Sequence, residues 1–430
     1  MKLLLLFILC FPNYLQAALV DPTPKFMQDV DVSYNPAFCS ILENTDQISS
    51  NGATVKDIGV SSFTGAVSVS DHVLSINGVQ EYLDTESFSL DTLTDQLHWP
   101  NEVSQVPDGL FNNRVWAVAS GFFLPGKDDG SIALMDVSDK SNTAPVIISN
   151  QAEGEKWFYH RVLWMDMNKD GHLDAVTARA YGTGAAAEAS QLVWFENPGF
   201  KYLTPLWQLH VLHEGTEDVA FRIHYMTLPG GSTTPVIISA GFWSFELGLT
   251  WSATGDWEDA SSIRHMAVDN YGWYFDLQIV DVNMDGRLDV LCTTWSQLGS
   301  PGALLAYEIP DDWQNESWTR HVLQTGYKDF PIPGSGSPGS ATAFWPLASM
   351  ESAGVKPYVM VTGDDDGQAY VVTANSEDPD DWTYSSVTIY SDGRGTVGAI
   401  AVGDVDGDGA SEVFLPLYEK RSVRVMTYLQ

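Results

Sequence analysis

The chain has 430 residues, 44% of them hydrophobic and 12% aromatic, which is ample for a packed core and excludes a disordered polyelectrolyte. Its 56 acidic against 21 basic side chains give a formal charge of −35. Such a chain repels nucleic acid and anionic lipid and favours cations, basic proteins or neutral sugars.

Residues Met1–Ala17 read as a secretory signal. Lys2 supplies the positive end, Leu3 to Phe11 the apolar stretch, and Leu15-Gln16-Ala17 a cleavage site. The apolar stretch is too short to span a bilayer, and nothing later reaches the roughly 20 residues required. A secreted, extracellular protein without a membrane span is expected. Once Cys10 leaves with the signal, Cys39 and Cys292 remain, either as a bridge or as two buried thiols. Asn315-Glu316-Ser317 is an N-glycosylation sequon in a polar loop, so a glycoprotein is expected.

Residues 18–97 form an N-terminal segment with two strand-like pieces, Val67–Ser70 and His72–Ile76. From residue 98 onward the chain repeats. Strand–loop–strand units are followed by a third strand (Ile132–Val137, Leu192–Pro198, Leu304–Pro310, Ala369–Ala374). A fourth strand opens with Trp207-x-x-His210, Trp318-x-x-His321 or Trp382-x-x-Ser385. The units lie near 98–150, 157–213, 219–266, 273–323 and 338–390, and a last one at 396–430 has room for only three strands. Four strands per unit without helical periodicity predict an all-β fold, a β-propeller. Seven blades are expected, with six as the alternative, and the N-terminal segment must supply the missing strand and could complete a blade. The Gly/Ser/Pro run 331–340 is expected to join two blades, because the repeat resumes in register beyond it.

Three units carry one acidic pattern. Asp281-Val282-Asn283-Met284-Asp285-Gly286-Arg287-Leu288-Asp289 places side-chain oxygens at positions 1, 3, 5 and 9, with glycine at position 6. Alternate residues of a tight loop aim their oxygens inward, which is the layout a hard divalent cation needs. An EF-hand would continue to a glutamate at position 12 between helices. Here position 12 is Cys292, and both flanks read as strands. The pattern recurs as Asp166-Met167-Asn168-Lys169-Asp170-Gly171-His172-Leu173-Asp174 and as Asp404-Val405-Asp406-Gly407-Asp408-Gly409-Ala410-Ser411-Glu412.

These loops, with the Leu192-Val-Trp-Phe-Glu-Asn-Pro strand and the Trp-x-x-His strand, resemble the FG-GAP/VCBS repeats of secreted and cell-surface propellers such as integrin α-subunit heads. The resemblance covers roughly residues 98–430. It implies about three calcium ions held by the side chains of Asp166, Asn168, Asp170 and Asp174, of Asp281, Asn283, Asp285 and Asp289, and of Asp404, Asp406, Asp408 and Glu412. His172, Arg287 and Ala410 would add backbone carbonyls. Glu412 departs from the usual aspartate. Alternate units lack the acids, and no strict Phe-Gly…Gly-Ala-Pro signature recurs, which points to the broader VCBS group.

Other side chains invite a functional reading. His210 and His321 share one repeat position, as a packing residue would. Arg161, Arg222 and Asp276 share a register on first strands and are expected to form a polar ring in a central channel, with His224 and Trp164 as neighbours. Trp251, Trp257 and Trp313 read as loop tryptophans, which if exposed would favour sugar faces. No nucleophile elbow, zinc-protease helix or phosphate loop is present. The leading expectation is a calcium-stabilised extracellular binding or adhesion module for a protein or glycan. A secreted carbohydrate-active enzyme of the lyase or dehydratase kind is the alternative, and a channel cluster of His, Arg and Tyr would favour it. An acidic mineral-matrix protein comes third, since long Asp/Glu tracts are missing.

Overall fold

Seven four-stranded antiparallel sheets stand around a common axis in the computed structural model. It describes residues 20–429 apart from 50, 51, 84, 86, 142, 151–153, 184, 185, 216–219, 297–301, 328–333 and 394. The expected signal at 1–17 lies outside the described residues.

Blade 1 comprises Pro36–Ile48, Thr54–Ser62, His72–Asn77 and Ser89–Thr94. Blade 2 follows with Pro100–Gln105, Val115–Ser120, Ile132–Asp136 and Val146–Ile147, and blade 3 with Phe158–Met165, Asp174–Thr183, Ala186–Glu196 and Gln208–Glu214. Blade 4 holds Ala220–Thr227, Thr233–Gly241, Glu246–Ser252 and Ile263–Asp269. Blade 5 holds Trp273–Val280, Asp289–Trp295, Ala303–Glu308 and Thr319–Thr325. Blade 6 is built from Ala341–Phe344, Tyr358–Thr362, Gln368–Ala374 and Tyr384–Ser391. Val67–Ser70, expected as a strand, is a turn and its flank, with Val67 and Val69 half exposed. Alternation there marks no strand because neither face has a core to meet. Residues 334–340 do join blades 5 and 6.

Blade 7 has three strands from the C-terminal end, Ala401–Gly403, Glu412–Leu417 and Ser422–Thr427. Its outer strand is Lys25–Asp31, which pairs antiparallel with Ser422–Thr427 from Lys25↔Thr427 to Asp31↔Ser422. Arg424 donates two hydrogen bonds of 2.8 Å to the Asp29 carboxylate across this seam. The inner strand of blade 1 also exchanges backbone bonds with the segment leading into the inner strand of blade 7, Cys39 to Ala399 and Ala399 to Ala37.

First strands of successive blades touch around the axis and line the channel. The core is not one mass but a set of clusters, one at each blade–blade interface. Leu42, Val73, Val103 and Trp116 fill the 1–2 interface, and Val176, Trp194, Phe221 and Ile237 the 3–4 interface. Apolar alternation on both faces of each sheet is what this requires, since every blade buries both sides.

Within a four-stranded meander, the 2–3 turns and the 4–1 connections fall on one rim, and the 1–2 and 3–4 turns on the other. These rims are called the upper and lower face below. Cys39 lies in the inner strand of blade 1 and Cys292 in the second strand of blade 5, and both are buried free thiols. No helix among the described residues is long and apolar enough to cross a membrane.

Removing residues 1–32 deletes the closing strand and bares Val423 and Val425, which are fully buried in the ring. An unpaired apolar edge is a template for association. The shortened chain should melt well below the full chain and self-associate, as thermal denaturation and sedimentation velocity would register.

Candidate functional site

Two sites stand on opposite faces. On the lower face, the three acidic loops are the 1–2 turns of blades 3, 5 and 7. They have one backbone shape. Position 6 is a glycine at φ +89° in all three (Gly171, Gly286, Gly409), and position 4 is also left-handed, at +63° for Lys169, +60° for Met284 and +79° for Gly407. Glycine at position 6 is required because side chains rarely adopt that conformation.

Side-chain oxygens hold each loop from within. Asp281 accepts from the amides of Asp285 and Gly286 (3.1 and 2.8 Å), and Asp285 accepts from Arg287 at 2.8 Å. Asp166 and Asp170 repeat this against Asp170, Gly171 and His172. Asp404 accepts from Gly407 and Gly409, and Asp408 from Ala410. Asn168 and Asn283 also accept from position 5, and Asp406 accepts from Asp408.

The position-9 carboxylate is buried beneath each loop and receives the amide of position 2: Met167 to Asp174, Val282 to Asp289, Val405 to Glu412. Burial, reinforced by the neighbouring carboxylates, pushes Asp174 up to about 6, Asp289 to about 7 and Glu412 to about 8. Carboxylate oxygens of Asp404, Asp406 and Glu412 lie within 4.8 Å of one another. The longer Glu412 also receives the Thr427 hydroxyl. An oxygen-only donor set with crowded negative charge fits a hard divalent cation, and such an ion would reverse the upward shifts.

The second site is a cavity of about 690 Å³ in the channel, opening on the upper face. Its mouth is rimmed by aromatic rings in contact from blade to blade. Tyr418 meets Phe63 (6.1 Å between centroids), Phe63 stacks on Trp99 (4.1 Å), and Trp99 on Phe122 (4.7 Å). The chain continues through Phe123, Trp243 and Phe242 to Trp295 and Phe275. The Trp295 indole then donates to Asp364 of the blade 6 turn at 3.0 Å. Each ring sits at a 2–3 turn or a strand end, where an apolar side chain can cover the channel mouth without breaking a ladder.

Below the rim, inner strands present charge. Arg161 of blade 3 bonds Glu102 of blade 2 and reaches Asp276 of blade 5 at 3.4 Å. Arg222 lines the same cavity from blade 4, between them. The expected polar ring therefore exists, with Glu102 as a member that the register argument missed. His160 lines the cavity against Phe38, and its Nδ1 is buried without a partner. Burial, with the Arg161 charge, pushes His160 down to about 4. Burial also raises Asp276, Asp364 and Asp365, Asp364 well above the usual carboxylate range.

Two expected neighbours lie elsewhere, and the loop tryptophans are not exposed. His224 belongs to a smaller lower-face pocket of about 190 Å³ with Arg287 and Trp313. Trp164 packs towards Trp207. Trp251 is in a strand, Trp257 and Trp313 are buried, and Trp251 packs edge-on to Trp313, so these tryptophans serve blade packing rather than an exposed surface. His210 and His321 are packing residues on outer strands. Each is hydrogen-bonded to a third-strand glutamate (Glu196 at 2.8 Å, Glu308 at 3.0 Å) and stacks on a tryptophan, Trp194 or Trp382.

His160 sets a pH dependence whose sign follows from its depressed pKa. The unfolded imidazole takes its proton near the ordinary 6.5, the folded one only near 4. The stability tied to the neutral ring is therefore complete above 6.5 and lost as pH falls towards 4, by up to about 3 kcal/mol. The raised carboxyls act in the opposite sense, so the measurement is a difference. In urea titrations at about pH 7.5 and 4.5, wild type should lose up to about 3 kcal/mol more than His160→Gln.

No protein-family model matches the chain, and no curated protein matches it. The likeness to FG-GAP/VCBS repeats accordingly rests on the loops and strands quoted above. Among solved structures the chain is similar to a glucose dehydrogenase (13% identity over 78% of this chain and 97% of that one, TM-score 0.41). It is also similar to the NanB sialidase from Streptococcus pneumoniae (10%, covering 95% and 70%, TM-score 0.39) and to the Dos1 propeller (9%, covering 94% and 96%, TM-score 0.45). At such identities and scores these likenesses carry nothing about activity. The chain is a seven-bladed β-propeller closed by its N-terminal strand.

Proposed function

We propose that the protein is a secreted, calcium-stabilised β-propeller that binds an extracellular glycan in its central cavity. The observation that carries this reading is the aromatic rim above a charged floor. Sugar rings stack their C–H faces on indole and phenyl faces, while their hydroxyls need buried polar partners. A concave site of about 690 Å³ suits a few sugar rings better than a flat protein surface.

Calcium is structural in this reading. The three loops tie the inner to the second strand of blades 3, 5 and 7 on the face away from the cavity. At an extracellular-module affinity of ~10⁻⁴ M and millimolar calcium, each site would contribute about 1.4 kcal/mol. A second reading, a carbohydrate-active enzyme of the lyase or dehydratase kind, is favoured by one observation: His160, Arg161, Arg222 and Tyr418 share the cavity wall.

Replacing one loop ligand separates metal from ligand. Asp285→Ala removes a carboxylate, so calcium affinity at that loop should fall sharply. Repulsion in the empty loop falls as well. The variant's deficit in melting temperature should appear in calcium and nearly vanish in chelator, with the other two sites intact because blades contact mainly their neighbours. Calorimetric calcium titration and melting curves check this. A variant that melts like wild type in millimolar calcium would remove calcium from the proposal.

A glycan array probed with wild type and Phe122→Ala, with and without calcium, tests the binding site. Phe122 is an exposed rim residue, so the fold should survive its loss. Wild type should bind a defined glycan set and Phe122→Ala at least about tenfold more weakly. An empty array would sink the glycan reading, and chain cleavage of a bound glycan would favour the enzyme.

A further inference from the structure

The charged side chains of the cavity are not equally satisfied. Glu102 and Asp276 are both engaged by Arg161. Asp364 accepts the Trp295 indole, and Asp365 accepts the Gly336 amide and the Thr396 hydroxyl. Arg222 differs. Among the described residues its guanidinium makes one hydrogen bond, from Nη1 to the carbonyl of Phe221 at 3.0 Å, and has no carboxylate partner. It stands half-buried on the inner strand of blade 4, between the blades that carry Arg161 and Asp276.

A guanidinium presents five donors in a planar fork that matches a carboxylate, and the described residues leave most of that fork unspent. Arg161 shows the local alternative, a cation already claimed from two sides. The aromatic rings Trp243, Phe242 and Phe275 belong to the same wall, next to Arg222 in blades 4 and 5. A ligand that suits both features has a ring with an apolar face and one carboxylate in or near the ring plane. Hexuronic acids have that build, and neutral hexoses lack the charge.

Resting on the glycan reading above, we propose that the cavity selects acidic sugars, with Arg222 pairing the carboxylate of a uronic acid residue while the aromatic wall stacks on its ring. The remaining charges tolerate this guest. Burial disfavours the charged forms of Asp276, Asp364 and Asp365, and Arg161 offsets the Glu102 charge, so the added anion faces little net repulsion.

The probes are the trimers of galacturonate, glucuronate and mannuronate and their methyl esters, titrated calorimetrically into the full chain. At least one free acid should bind, and its ester, which keeps size and ring but loses charge, at least about tenfold more weakly. Arg222→Gln should lower affinity for that acid at least about tenfold and leave the ester within about twofold, and Arg222→Lys should recover part of the loss. Equal affinity for acid and ester, or an unchanged acid preference in Arg222→Gln, overturns the inference. Should Arg222→Gln fail to fold, the acid–ester comparison on wild type decides alone. Binding of neutral glycans without any uronide overturns this inference and spares the glycan reading, whereas no sugar binding at all removes both.

Discussion

Closure of the ring is the constraint on which everything else depends. Each blade buries both faces against its neighbours, so a gap at any one seam exposes two faces and leaves the channel open on one side. The seam here is made of residues almost a full chain length apart, Lys25–Asp31 against Ser422–Thr427. Because the N-terminal strand is the outer one of blade 7, the chain passes over the upper face into blade 1, and the inner strand of blade 1 then bonds the segment leading into the inner strand of blade 7 through Cys39 and Ala399. The rim aromatics could not follow one another from Tyr418 to Trp295 without that arrangement.

The two sites use the blades differently. An acidic loop is local: its side-chain oxygens come from nine consecutive residues, and its shape repeats wherever the pattern does. The cavity is collective. Every blade contributes side chains to its wall, none of which would bind anything alone, and the angles between blades set their spacing. The buried Glu102–Arg161–Asp276 group shows how far this goes, since it draws on three different sheets. Removing its arginine would leave two carboxylates without compensation, which is why a channel this polar is also rigidly specified.

This difference decides what could be read from the sequence. The shape of the loops was legible because position-by-position spacing sets their internal hydrogen bonds, and the shared glycine at position 6 reports the shared backbone. Blades were legible from strand–turn recurrence, and Arg161, Arg222 and Asp276 from their common register. Glu102 was not, because blade 2 carries no acidic loop from which to count back to its inner strand; the irregularity between Pro100 and Val103 is shared by the strands of Arg161 and Asp276. The rim was invisible for another reason. Phe63, Trp99, Phe122, Trp243 and Trp295 follow no common offset, and only the turn that ends each strand brings them to one circle. The converse error has the same root: Trp251, Trp257 and Trp313 sit among turn residues in the sequence, yet interblade packing absorbs them.

Strand direction also fixes which way the molecule presents itself. The third strand of blade 7 runs away from the cavity mouth, so residue 428 emerges beside the loop 404–412, where the Tyr428 amide donates to Ser411. Lys25 pairs with Thr427, so the chain also enters from that side. Asn315 lies there too, in the 3–4 turn of blade 5. A tether at either end, or an oligosaccharide on Asn315, would thus occupy the lower face and hold the aromatic mouth outward, as a display scaffold would. For anyone immobilising the protein on a sensor surface, a handle attached beside Lys25 or Tyr428 leaves the cavity unobstructed.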